Sequence, residues 1–136
     1  MDTVLFEKEI EKTEYWDVPV LDVQINYFGD EVDIYIANTE ESCWRISFLS
    51  CYRLKYETDA NWRGESRVKK MRYSQLGYYG QDFDIKLCTE MESFIEVKID
   101  LTIMLMEIIC KEITVEEVKL SEISFFWEKN KRHDSK

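Results

Sequence analysis

The sequence predicts a mainly β protein: an antiparallel β-sandwich or flattened barrel of about seven to eight strands with one long loop. Three observations carry that prediction. Apolar and polar residues alternate at period two along most of the chain, as in strands with one buried face. Clusters of Gly, Asn and Asp punctuate these runs where turns belong. The chain has 136 residues, 45% of them hydrophobic and 14% aromatic, with one proline and four glycines, so a single core is expected and no linker. The expected organisation is one β domain over 1–128, followed by a polar tail, 129–136.

Residues 3–15 fit either a short helix or an edge strand. Leu21, Val23, Ile25 and Tyr27 then alternate with Asp22, Gln24 and Asn26. Phe28-Gly29-Asp30-Glu31 supplies a turn, Gly29 being free to take positive φ. Val32, Ile34 and Ile36 form the next strand, and Asn38-Thr39-Glu40-Glu41 turns the chain again. Trp44, Ile46, Phe48, Tyr52, Leu54 and Tyr56 hold even positions across Ser50, so one long bent strand or two strands meeting at a bulge is expected.

The pattern lapses from Thr58 to Asp82 and resumes at Phe83, Ile85 and Leu87. Ile95, Val97, Ile99, Leu101, Ile103 and Leu105 continue it. From Met104 to Ile109 both faces are apolar, read as a strand covered on both sides in preference to a short helix. Ile113, Val115, Val118 and Leu120 follow, with a phase slip at Glu116-Glu117 that predicts a bulge. Ile123, Phe125 and Trp127 read as a final strand.

Net charge is −10, which favours solubility, disfavours phosphate backbones and anionic membranes, and suits a basic partner. The distribution is uneven: residues 63–72 carry +4, whereas 1–62 carry −9 and 73–128 carry −8. The first residues have no basic start and no long apolar stretch, so no signal peptide is expected and the cytoplasm is the expected location. Cys43, Cys51, Cys88 and Cys110 include no C-x-x-C pair and read as reduced thiols without zinc. On one extended strand Cys43 and Cys51 would sit roughly 26 Å apart, too far for a disulfide.

Catalytic constellations are missing. The one histidine, His133, lies in the polar tail, which disfavours triad and zinc-hydrolase chemistry. No phosphate-binding glycine motif occurs, and Gly77-Tyr78-Tyr79-Gly80 reads as a turn opening a strand. Asp30, Glu31 and Asp33 read as a charged hairpin, and Asp82 with Asp84 as a charged strand face. Arg45 and Arg53 share a strand face with Cys43 and Cys51, a setting that lowers thiol pKa, but no base accompanies them. No catalytic residue, metal or cofactor is expected.

Residues 58–82 remain. A loop of this length inside a compact domain tends to be functional. It carries Trp62, Arg63, Arg67, Tyr73, Tyr78 and Tyr79, the residue types that dominate binding hot spots. These six are the candidate contacts for a protein partner. Nucleic acid is disfavoured because the rest of the chain would repel phosphate. The alternative to a partner-binding module is a sandwich that holds a small apolar or aromatic ligand between its sheets.

The stretches Tyr27-Phe28-Gly29-Asp30-Glu31-Val32, Cys43-Trp44-Arg45-Ile46 and Gln75-Leu76-Gly77-Tyr78-Tyr79-Gly80-Gln81 resemble those of small proteins of Gram-positive bacteria. Some proteins of that type are similar to the immunity proteins paired with secreted polymorphic toxins. The resemblance implies a small acidic cytosolic domain that neutralises a basic toxin domain, and it carries over no catalytic residues.

Overall fold

The computed structural model describes residues 3–63 and 67–135, with the side chains of Ala60, Arg63 and 131–135 outside the description. A helix, α1 (Thr3–Glu11), precedes eight strands: β1 (Val20–Asn26), β2 (Glu31–Ala37), β3 (Ser42–Leu49), β4 (Arg53–Thr58), β5 (Asp82–Leu87), β6 (Ile95–Asp100), β7 (Met104–Cys110) and β8 (Glu112–Lys119). They form two antiparallel sheets, β1–β2–β3–β8 and β4–β7–β6–β5. The sheets do not close into a barrel, and the fold is a sandwich.

The sheets are tied by one bent ribbon. Ser50 takes a φ of 55°, and the chain crosses from β3 into β4 while the Tyr52 N–H donates to the Ile109 carbonyl at 2.7 Å. The return strands β7 and β8 cross at Lys111, whose N–H donates to the Leu49 carbonyl at 3.1 Å. The even-numbered alternation through Ser50 is therefore a bent strand in two parts.

Between the sheets, Val32, Ile34, Ile46, Phe48, Val97 and Ile108 are fully buried. Each such side chain stabilises the fold by about 1.5–3 kcal/mol relative to an exposed one. The 3–15 region resolves to a helix that packs Ile10 and Phe6 against this core, beside β5 and β8. A second, smaller core lies on the outer face of the first sheet, where Leu21, Tyr35 and Cys43 meet Met71, Leu76, Phe125 and Trp127.

That second core explains where the strand pattern misleads. Ile123, Phe125 and Trp127 do not form a strand. They belong to a C-terminal segment laid over the first sheet, in which the Trp127 indole N–H donates to the Leu21 carbonyl at 2.9 Å. No bulge occurs at Glu116-Glu117, for the β3–β8 register runs unbroken from Ser42↔Lys119 to Leu49↔Glu112. Val118 falls out of phase because it packs on the second core. The register shift lies instead between Val20 and Asp22. It sends Leu21 to the second core while Val20 and Val23 join the first. On the edge strand β4 the even face also fades, since Leu54 packs inward while Tyr56 is exposed, as is Tyr52 just before it.

Strand direction sorts the connections into two ends. The β1–β2, β3–β4, β5–β6 and β7–β8 links share one end. The β2–β3 and β6–β7 links, the 59–81 connection and the exit from β8 share the other.

Candidate functional site

The 59–81 connection is organised by its own backbone. Asp59 caps the first turn, its carboxylate accepting from the N–H groups of Asn61 at 2.9 Å and Trp62 at 3.3 Å. Gly77 takes a φ of 75°, and a Cβ there would lie 2.9 Å from the Trp62 indole nitrogen, so the indole rests over this glycine. Tyr78 hydrogen-bonds Thr58 through its hydroxyl at 2.9 Å and passes its carbonyl to the Val20 N–H at 2.8 Å. Tyr79 bridges Pro19, and its carbonyl accepts from the Thr102 hydroxyl at 3.1 Å.

The six residues picked from sequence divide accordingly. Trp62 is 62% exposed, and Arg67, Tyr73 and Tyr79 are also exposed. Tyr78 is half-buried between the two cores. The Arg63 side chain lies outside the described residues. Tyr73 stacks on Trp127 at 5.0 Å, and Trp127 in turn stacks on Phe125 at 5.2 Å. The middle of the connection is anchored there too, with the Asn130 amide donating to the carbonyls of Lys69 and Met71 at 2.9 and 2.7 Å. Much of the connection is thus a cover for the first sheet, and Trp62 and Tyr79 stand at its rim.

The outer face of the second sheet is a different surface. Register places Glu57, Leu105, Asp100 and Asp82 in one row across β4, β7, β6 and β5. Lys55, Glu107, Lys98 and Asp84 form the next row, alternating in charge. A groove of about 510 Å³ follows these rows, with exposed Tyr56 and Leu105 as its apolar part. The acidic row was not evident from sequence, because its members come from four strands scattered along the chain and meet only through register. The outward phase of Asp82 was the one signal for it.

A family model described as Immunity protein PIM7 matches residues 3–117. The chain belongs to this immunity protein family. Membership supports an immunity-type, protein-binding role, and the match runs from α1 into β8, spanning both the loop rim and the acidic groove. No curated protein matches the chain. The segment carrying Phe125 and Trp127 lies beyond the matched residues.

Within this immunity-family chain the titratable groups follow their surroundings. Burial pushes the Tyr73 phenol above its ordinary value, with nearby Tyr79 adding to the effect. Burial also pushes the Cys43 thiol up to about 11, outweighing the opposite pull of the Arg45 charge and in keeping with an inert thiol. The Cys51 thiol is lowered by a hydrogen bond from Cys110, which keeps its own proton firmly. Among the described residues no cluster of three His, Cys, Asp or Glu side chains is arranged to hold a metal. No described helix is long and apolar enough to cross a membrane. An apolar cavity lined by Val20, Val68, Leu76, Tyr78, Met104 and Phe126 measures about 140 Å³. That is below the roughly 300 Å³ at which small-molecule pockets begin.

Proposed function

We propose that this protein is a non-catalytic immunity protein that neutralises a basic toxin domain by binding it, in the cytoplasm of the cell that makes both. The observation that carries the proposal is membership of the immunity protein family over residues 3–117. The net charge of −10 and the acidic row Glu57, Asp100 and Asp82 support a basic partner, since an acidic field speeds encounter with one. Trp62 and Tyr79, exposed at the rim above that row, supply aromatic area of the kind that slows dissociation. Arg67 and Tyr73 are further exposed residues of the same connection, and Tyr78 is held beneath it by its hydroxyl contact with Thr58. Nucleic acid is not the partner on this reading, because the same acidic field repels phosphate.

The test takes as probe the purified product of the adjacent reading frame, the candidate toxin domain. It should form a stoichiometric complex whose association slows as salt is raised. The pair Trp62→Ala and Tyr79→Ala should speed dissociation by roughly tenfold or more, with little change in melting temperature. Absence of a complex with the wild-type chain would overturn the function. A complex indifferent to the double variant would move the contact elsewhere.

A further inference from the structure

At the end of the sandwich opposite the long connection, the β1–β2 hairpin turns through Tyr27, Phe28 and Gly29, with the Asp30 N–H donating to the Tyr27 carbonyl at 3.1 Å. Phe28 has φ 59° and ψ 26°, and Gly29 has φ 91°. These are close to the two central positions of a type I′ turn, where Asn-Gly is the favoured pair. Tyr27 is left-handed as well, at φ 53°. Two bulky aromatic residues in succession thus hold a conformation that disfavours any side chain with a Cβ.

Neither ring is compensated by packing. Phe28 is fully exposed and Tyr27 is 74% exposed. Beside them Ile25 and Tyr52 are exposed too, around a groove of about 470 Å³ that Asp30, Arg53 and Leu54 also line. Tyr52 is held in place by an edge contact with Phe94 at 6.1 Å and by the Arg53 guanidinium 5.6 Å from its ring centre. Arg53 is itself occupied by Glu90 at 3.0 Å. The carboxylate of Asp33 is taken up by Ser47 and Asn26, whereas Asp30 is exposed at the base of the turn. The apolar surface continues along β4 through exposed Tyr56 into the acidic groove.

We infer that Tyr27 and Phe28 form a knob that inserts into a concave apolar pocket of the toxin domain, a pocket with a cationic rim that meets Asp30. The inference rests on the toxin-binding reading and adds to it a second contact at the hairpin end. A knob that is strained and fully solvated in the free protein gains on binding what it lacks alone: a partner surface for both rings. The neighbouring carboxylate selects against an anionic membrane as the apolar partner.

The decisive variant is Phe28→Asn, which gives the turn its favoured Asn-Gly pair. With the product of the adjacent reading frame as probe, affinity should fall about 30-fold or more. The melting temperature of the free variant should rise by roughly 3 °C, because a turn strain is relieved and no packing is lost. Phe28→Leu, which keeps an apolar knob, should retain most of the affinity. Unchanged affinity in Phe28→Asn overturns the knob while leaving the toxin-binding function intact. Failure of the wild-type chain to bind the probe overturns that function and the knob with it. Self-association or binding to anionic vesicles that disappears in Phe28→Asn, with toxin affinity preserved, assigns the knob to another occupant and overturns the inference.

Discussion

The two ends of the sandwich use aromatic residues in opposite ways. At the long-connection end, the aromatic rings lean on the chain's own groups: Tyr73, Trp127 and Phe125 form a stack, Tyr78 lies between two cores, and Trp62, though exposed, rests over Gly77. At the short-turn end, a link of four residues leaves Tyr27 and Phe28 in water on a backbone that resists them. Loop length alone therefore does not tell which end is free to bind. A long segment has enough chain to fold back and bury its own apolar groups, as this one does over the first sheet. A tight hairpin has no such freedom, and its side chains point where the turn sends them.

The strongest way to break this contrast is to remove the stack. Trp127→Ala deletes a buried indole, its contacts with Tyr73 and Phe125, and its hydrogen bond to the Leu21 carbonyl. It should cost about 3–5 kcal/mol in urea unfolding, as loss of a large core aromatic does. A loss below about 1 kcal/mol would mean that the C-terminal segment is a loose cover and that the two ends are alike.

Much of this architecture is legible in the sequence. Alternation locates most of the strands, and its persistence through Ser50 marks the bent ribbon, but it also runs from Ile99 to Leu105 straight through the β6–β7 turn, where Thr102 takes a φ of 74°. It does not reveal which outer face is covered. Phe125 and Trp127 imitate a strand because both are buried by a surface formed from Leu21 and Tyr35, far away in the chain. Val118 imitates a bulge for the same reason. The candidate site is less legible still. Hot-spot composition points to the 58–82 segment, but Tyr78 has the same residue type as Tyr79 and a half-buried position instead of an exposed one. The sequence places Phe28 in a turn, and nothing in its neighbours states that a turn would leave its ring without cover.

A smaller effect compares one glycine from each end. Gly29 and Gly77 both hold positive φ, at 91° and 75°. Substitution by Ala should cost each about 1–2 kcal/mol of backbone strain. A Cβ at 29 meets no atom within 4 Å, whereas at 77 it lies 2.9 Å from the Trp62 indole nitrogen and 3.6 Å from Ile103. Gly77→Ala should therefore be the costlier of the two and should also shift tryptophan fluorescence. Equal costs with no spectral change would show that Trp62 is not seated on the loop.

The smallest effect is electrostatic and belongs to the covered side. Asp22 follows the Leu21 bulge and lines the 140 Å³ cavity under the C-terminal segment. Burial raises its carboxyl above the usual range, more than the hydrogen bonds from Gln24 at 3.2 Å and the Val23 N–H at 2.9 Å lower it. The folded state then keeps a proton at pH values where the unfolded chain has lost it. Stability linked to Asp22 is fully present below the ordinary value of 3.8 and declines as pH rises through the raised folded value. Asp22→Asn removes that decline while its side-chain oxygen still accepts from Val23. The variant should be slightly more stable than wild type at pH 7, by less than about 1 kcal/mol because solvent still screens the group. The advantage should vanish near pH 3. Thermal melts across that range read the difference directly. A variant less stable than wild type at pH 7 would mean that the carboxylate anchors the bulge, and that the covered face depends on a charge as well as on its apolar stack.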